Sequence, residues 1–485
     1  MKILLASSEV HPYSKTGGLG DMVGALGKAL ARDGHQVGIT TPLYLGTRER
    51  FPGMRRLDLP LDLPLGIRRG HGEVWALDPL PGLTIYFVDQ PEFFQRSTLY
   101  QKEGADYPDN AERFFSFSKA VAHLALHLPG GRPDVLHLHD WQTGFAALFL
   151  AHEVKVAGQG IEARPRICMT IHNLAYQGVF PASQFALANL PWDYFSLDGV
   201  EFYGQVNCLK AGITHADVLT TVSPRYAREI TTAEFGCGLD GLLRSLQDRL
   251  FGILNGVDYD EWKTEGNPNL PHAYSANDLS GKMANKLALQ AELGLVPDPT
   301  VPLFASITRL VEQKGIDIML GALEEMLNAN LQFVQLGNGA PVFQSACQEL
   351  ARRFPGRAVM RYGFDEPLSH RIEAGADFFL MPSRFEPCGL NQMYSLRYGT
   401  IPIARATGGL EDTVIDIRED LERANGIKFQ EYSSRALAKG IQKALALYAE
   451  PELLHRYRLN AMAADFSWTR TAKEFLKLYG VRVAK

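Results

Sequence analysis

The chain has 485 residues, 46% hydrophobic and 21% charged, with 49 basic side chains against 54 acidic ones for a net charge of −5. That length holds two or three α/β domains and a core that needs no staples, and the near balance of charge excludes the strongly basic surface of a general nucleic-acid binder. Five scattered cysteines (Cys168, Cys208, Cys237, Cys347, Cys388) form no C-x-x-C pair, which argues against a disulfide framework or zinc site and for a reducing compartment.

The N-terminal "MKILLASSEV" carries an apolar run too short for a signal peptide. No run reaches the roughly 20 residues of a spanning helix, so no membrane association and a cytoplasmic location are expected. "KILLAS" reads as a buried parallel strand, "SKTGGLGD" as a glycine loop, and a helix capped by Asp21 follows to about Arg32. Gly34 ends it and "QVGITTP" is the next strand, which completes a βαβ unit. Residues 56–80 alternate apolar and polar like antiparallel hairpins. Strands are predicted at 84–89, 134–140, 166–173 and 216–223, and the Pro- and aromatic-rich 177–204 reads as irregular loop. A polar stretch after Trp262, "KTEGNPNLPHAYSANDLSG", fits a hinge. The opening pattern then returns: strand "VPLFASITRL", loop "TRLVEQKG", helix "IDIMLGALEEML", strand "LQFVQLGNG". Further strands follow at "AVMRYGF", "ADFFLMPS" and "TIPIARATGG", and the tail reads as a helix. The whole is two doubly wound α/β halves, each with a lysine in its first loop.

The glycine loop is neither a Walker A loop nor G-x-G-x-x-G, since its glycines fall at Gly17, Gly18 and Gly20. It reads either as a tight strand-to-helix turn or, with Lys15 beside free N–H groups, as an anion site. Arg309 and Lys314 sit at the carboxyl end of a strand, the edge where open α/β sheets bind ligands. Two cations there suit a diphosphate leaving group; solvated surface charge is the plainer reading. In "RFEPCGLNQMY", Glu386 is either a helix cap or an acceptor for sugar hydroxyls, and the N–H groups of Gly389 and Leu390 are candidates to face a phosphate. Cys388 as a thiol nucleophile is disfavoured because no histidine stands near it in sequence. His137 and His139 have H-x-H spacing without a third ligand, which favours partnered core histidines over a metal site. The D-x-D of Asp258–Asp260 follows Asn-Gly-Val and reads as a turn or helix start.

Seven segments in one order, "KTGGLGD", "HLHDWQTG", "IHNLAYQG", "LNGVD", "TRLVEQKG", "RFEPCGLNQMY" and "TGGLEDTV", closely resemble those of bacterial glycogen synthases and plant starch synthases, glycosyltransferase family 5. The resemblance spans the chain. It implies the GT-B fold: two Rossmann-like domains facing a deep cleft, here residues 1–255 and 256–466, with a helix in 467–485 returning to the first. It also implies transfer of glucose from ADP-glucose to the non-reducing 4-hydroxyl of glycogen or a linear α-1,4-glucan. Configuration is retained, and no metal or other cofactor is needed.

By the same resemblance, Arg309 and Lys314 stabilise the leaving group, and Lys15 and the Gly18 amide approach the phosphates. His172 lies beneath the transferred glucose, Asn173 and Asn255 hydrogen-bond the donor, and Glu386 holds glucose hydroxyls. Cys388 and Gly389 contact the sugar through backbone, Gly363 and Phe364 stand where an aromatic stacks on adenine, and Asp140 and Trp141 lie on the acceptor side. Tyr394 stands where related transferases carry a ribose-gripping glutamate, as in the bacterial synthases. Asn391, Ser395 and Ala406 replace the expected Thr, Gly and Arg or Lys, and Phe364 replaces Tyr. Retention needs a covalent glucosyl-enzyme or front-face attack; no carboxylate suggests itself beside His172, which favours the latter. A non-catalytic glucan-binding protein is expected to lose Arg309, Lys314 or Glu386, and a dehydrogenase requires a glycine fingerprint that neither half has. UDP-glucose or another acceptor remains the alternative.

Overall fold

The computed structural model describes residues 1–102 and 104–480, which divide into two compact units. Unit 1 comprises Met1–Val222, Ala227–Gly256 and the chain from Trp468 on; unit 2 comprises Ser223–Tyr226 and Val257–Ser467.

Unit 1 is built on seven parallel strands: β1 (Lys2–Ala6), β2 (Gln36–Pro42), β3 (Leu83–Asp89), β4 (Val135–His139), β5 (Arg166–Ile171), β6 (Val218–Thr221) and β7 (Leu250–Gly252). Their spatial order is β7-β6-β5-β4-β1-β2-β3, so chain direction across the sheet reverses between β1 and β4. Helices cover both faces, and β4 is accordingly buried at all of its positions. At the β3 edge the strand Arg68–Leu80 adds antiparallel and carries Leu61–Leu65 as its hairpin partner. Leu61–Leu65 buries alternate residues, as its period of two requires.

Three helices position the unit 1 loops: α1 (Gly18–Arg32), α2 (Asn110–His127) and α3 (Trp141–Val156). Residues 177–204 depart from the irregular loop expected of them. Val179–Pro181, Glu201–Phe202 and Gln205–Asn207 form a small antiparallel sheet. Its tight turn places Tyr203 and Gly204 at φ 49° and 77°. A tyrosine rarely takes that conformation, so the usual Asn-Gly hairpin signal is missing.

Unit 2 has six parallel strands: β8 (Leu303–Ile307), β9 (Gln332–Gly337), β10 (Ala358–Tyr362), β11 (Phe378–Met381), β12 (Ile401–Arg405) and β13 (Ile427–Phe429). The order β10-β9-β8-β11-β12-β13 is the doubly wound arrangement, with its switch point between β8 and β11. The helices that matter below are α4 (Ile316–Met326), α5 (Glu366–Gly375), α6 (Asn391–Arg397) and α7 (Gly408–Thr413). One core cluster joins Phe304, Ile316, Phe378, Leu396 and Ile403 from the sheet and its helices.

The polar stretch after Trp262, expected as a hinge, lies inside unit 2; the chain passes between the units at Gly256 and Val257. Its polar side chains satisfy buried groups instead. Asn267 is buried and donates to Lys263 O at 3.0 Å and Tyr398 Oη at 2.9 Å.

The closing helix, α8 (Trp468–Gly480), presents Trp468, Ala472, Phe475 and Tyr479 at helical spacing to the same core as Ile3, Leu5, Met22 and Leu26. Each such aromatic contributes on the order of 2–3 kcal/mol of hydrophobic free energy. Among the described residues no helix is long and apolar enough to cross a membrane.

Candidate active site

In unit 1 the loops after β1 and β4 flank the switch point, and the loop after β5 follows the strand next to β4. Glu9, buried at 3% exposure, organises the first of them. Its carboxylate accepts from Thr16 N at 2.5 Å, Thr16 Oγ1 at 2.7 Å, Gly17 N at 3.2 Å and Tyr100 Oη at 2.7 Å. A charged acceptor behind the loop therefore fixes the backbone just before α1, while Gly17 and Gly18 stay exposed. Asp21 does not cap α1 as expected. Gly17 holds the cap position, and Asp21, in the first turn, pairs with Lys15 Nζ at 2.8 Å. An acid in that turn also complements the helix dipole.

Asp140 sits in the left-handed region at φ 57°, a strained conformation for a side-chain-bearing residue. Its amide donates to Thr170 O at 3.0 Å, and its carboxylate accepts from His172 N at 2.7 Å. Burial raises the Asp140 carboxyl to about 7; the amides of His172 and Asn173 oppose the rise, and the charge of Glu9 adds to it. His172 Nε2 and His139 Nδ1 are 3.0 Å apart, so one ring donates to the other. Burial pushes His172 down to about 3 and His139 well below its usual range, which leaves both imidazoles neutral at pH 7. Both nitrogens of His137 are taken, by Tyr479 Oη at 2.7 Å and Thr170 Oγ1 at 2.6 Å. Asn255 is buried, and among the described residues its Oδ1 finds no hydrogen-bond partner. Trp141 begins α3 with its indole packed edge-on against Phe114 at 4.9 Å and Phe180 at 5.7 Å.

In unit 2 the loops after β8 and β11 touch. Gly315 has φ 71°, and a Cβ there would overlap the Pro382 carbonyl, so only glycine permits the approach. The contact brings Lys314 Nζ to 2.5 Å from Glu386 Oε2, on which Ser383 Oγ also donates at 3.1 Å. Glu386 is buried and Arg309, five residues before Lys314, is exposed. Glu386 does not cap a helix: α6 starts only at Asn391, with Leu390 as its cap residue. Gly408, at the head of α7, lies against the Glu386 carbonyl, which accepts from Gly409 N at 3.1 Å. The "TGG" segment thus supports the Glu386 loop from below. Cys388 is buried and its carbonyl accepts from Gln392 Nε2 at 2.9 Å; Gly389 is left-handed at φ 72°. After β10, Gly363 turns the chain at φ 99° and Phe364 is 79% exposed.

A family model described as the starch synthase catalytic domain matches residues 2–245, and one described as glycosyl transferases group 1 matches 294–463. A glycogen synthase of Anaeromyxobacter sp. (strain Fw109-5) is 50% identical over 484 residues, 99% of each chain. Glycogen synthase 2 of Nitrosococcus oceani is 47% identical over 99% of this chain and 96% of its own. The solved catalytic domain of starch synthase IV from Arabidopsis thaliana, bound to ADP and acarbose, is 37% identical with a TM-score of 0.89, covering 99% of this chain and 98% of that one. The chain belongs to the glycogen and starch synthase family. Its fold is accordingly GT-B, shared at TM-score 0.60 and 18% identity with a sucrose-phosphate synthase from Thermosynechococcus elongatus.

Within this glycogen and starch synthase chain the residues that depart from expectation each have a local partner. Asn391 donates its amide to Ile307 O, Ser395 Oγ donates to the buried Glu373 at 2.7 Å, and Ala406 N donates to Phe429 O at 2.8 Å. Tyr394 stacks flat on Trp262, 3.7 Å between centroids and 5° between planes. Glu9, Tyr100 and Ser383 are site residues that sequence reasoning missed. Only Glu9 had a signal, an acid directly after a strand that points to the ligand edge.

Proposed function

We propose that the chain is a retaining glucosyltransferase that moves glucose from ADP-glucose to the non-reducing 4-hydroxyl of glycogen or a linear α-1,4-glucan. The observation that carries the reading is Lys314, fixed at the unit 2 switch point by Glu386, on which Ser383 also donates, with Arg309 in the same loop, in a chain half identical to a glycogen synthase. The ammonium is held in place before substrate arrives, so little reorganisation opposes it as charge develops on the diphosphate. Arg309 and Lys314 then take the part a divalent ion plays elsewhere, and Lys15 with the Gly18 amide adds positive potential from the glycine loop. Phe364 is the stacking surface for adenine, and Gly363, Cys388, Gly389 and Leu390 supply backbone contacts to the donor.

The C1–O bond to ADP breaks as the acceptor O4 bonds to C1 on the same face. The acceptor's proton passes to the departing phosphate oxygen, so no enzyme base is consumed. His172, neutral and held by Asp140 through its backbone, lies beneath the sugar with Asn173 and Asn255; Asp140 and Trp141 shape the acceptor side. The reading places the protein in the cytoplasm, where ADP-glucose and glucan are its partners.

Incubation of the chain with glycogen and either ADP-glucose or UDP-glucose, in the presence of a chelator, tests this. Glycogen-dependent release of ADP is expected. Preference for UDP-glucose would support the alternative donor, and turnover abolished by the chelator would overturn the metal-free mechanism.

A further inference from the structure

We propose that His139 is a positioning residue for glucosyl transfer: its Nδ1–H donates to His172 Nε2, which leaves His172 with its proton on Nδ1, as a neutral hydrogen-bond donor to the transferred sugar. The role in transfer rests on the glucosyltransferase reading; the tautomer of His172 does not. His139 is the last residue of β4 and is fully buried, and His172 is the first residue beyond β5. The two ring nitrogens stand 3.0 Å apart.

The other nitrogen of His139 decides which ring donates. Among the described residues His139 Nε2 is buried without a hydrogen-bond partner. A neutral imidazole carries one proton. Were His172 the donor, the proton of His139 would sit on Nε2, as a buried N–H with no acceptor. With His139 the donor, the unmet atom is a lone pair instead. An orphaned N–H is the rarer defect in folded proteins, so the proton belongs on His139 Nδ1.

The surroundings hold this arrangement. The ring of His137 lies 4.1 Å from that of His139, and both its nitrogens are taken by Tyr479 and Thr170. His137 therefore offers His139 no competing partner. The Asp140 carboxylate accepts from His172 N, so His172 is fixed by its backbone on one side and by its ring on the other. Burial disfavours protonation of both rings, and neither becomes an imidazolium that would donate from both nitrogens at pH 7. His172 is only partly buried, and among the described residues its Nδ1 makes no hydrogen bond. A neutral N–H there can orient a sugar hydroxyl without adding positive charge beside C1, where the breaking C1–O bond builds it up.

The test uses the full chain with isotope-labelled nitrogen in its 13 histidines, and the His172 signals are identified by their loss in His172→Ala. Nitrogen NMR near pH 7 separates protonated from unprotonated ring nitrogens. Wild type is expected to show His172 protonated at Nδ1 and unprotonated at Nε2. His139→Leu removes the donor; His172 is expected to lose that fixed tautomer, and kcat with ADP-glucose and glycogen to fall about tenfold while KM for ADP-glucose changes less. His139→Asn returns an N–H to the place of Nδ1 and is expected to restore the tautomer and most of kcat. A proton found on His172 Nε2 in wild type, unchanged kcat in a folded His139→Leu, or His139→Asn as slow as His139→Leu would each overturn the proposal. The wild-type spectrum decides the direction of the hydrogen bond even if the leucine variant does not fold. A wild type inactive on ADP-glucose and glycogen would overturn the glucosyltransferase reading, and with it the role in transfer, while the spectrum still decides the tautomer.

Discussion

Lys314 Nζ and Glu386 Oε2 stand 2.5 Å apart at the seam where β8 pairs with β11 and the sheet reverses its winding. The carboxylate fixes the ammonium and is in turn buried by it. Lys314→Ala is expected to slow turnover by about 10²–10³-fold or more, as removal of a preorganised cationic donor does. It also leaves Glu386 with the Ser383 hydroxyl as its side-chain hydrogen-bond donor, at a stability cost of about 1–3 kcal/mol. Steady-state kinetics and a denaturant melt separate the two effects; near-normal turnover in a folded variant would remove Lys314 from the catalytic set.

The Glu9 carboxylate holds the loop before α1 through two backbone amides and a hydroxyl. Glu9→Ala leaves Thr16 N and Gly17 N without that acceptor. The expected result is a fall in kcat/KM of about tenfold or more with a modest loss of melting temperature, since each hydrogen bond to a charged group contributes about 1.5–3 kcal/mol. Unchanged kcat/KM would mean that loop order does not limit the reaction.

Asp140 titrates at about 7 in the folded chain, against 3.8 for an ordinary aspartate. A carboxyl whose folded value is raised contributes stability that is complete below about pH 4 and lost as pH rises through about 7. Asp140→Asn abolishes that titration while its oxygen can still accept from His172 N. The melting temperature of the wild type should therefore fall relative to the variant between about pH 4 and about pH 8. His137 and His172, both depressed to about 3, act with opposite sign: their contribution is present above about 6.5 and lost toward 3. Both proteins share that loss, so the difference between them isolates Asp140, and a difference that stays flat with pH would contradict the assignment.

Gly315→Ala tests the contact between the two unit 2 loops. The alanine meets a left-handed φ and the Pro382 carbonyl together, so the loops must part. A loss of about 2 kcal/mol or more in stability is expected, with turnover reduced because Lys314 and Glu386 separate. Melting and kinetics of the purified variant report both, and a variant as stable and active as wild type would show that the loops tolerate separation.

How far the sequence could be read follows from the range of each signal. The two doubly wound sheets were legible because each strand's apolar run and each helix's periodicity are local. The glycine loop, the Arg309–Lys314 spacing and the Glu386 segment were legible because each lies directly after a strand, where ligand sites form. The small sheet within 177–207 was not, because its turn rests on a tyrosine at φ 49° that only the surrounding packing enforces. Asp21 was misassigned for a related reason: its pairing with Lys15 depends on how the loop folds back, not on position in the helix.

The order of strands, loops and charged groups along the chain determined by itself that this is a two-unit α/β protein with cationic and acidic residues at its ligand edges. That Glu386 pairs with Lys314, that Glu9 holds the glycine loop, and that His139 meets His172 was decided only by the tertiary structure. Those pairings join residues up to 72 positions apart, and sequence spacing carries no distance information once the chain has crossed from one strand to another.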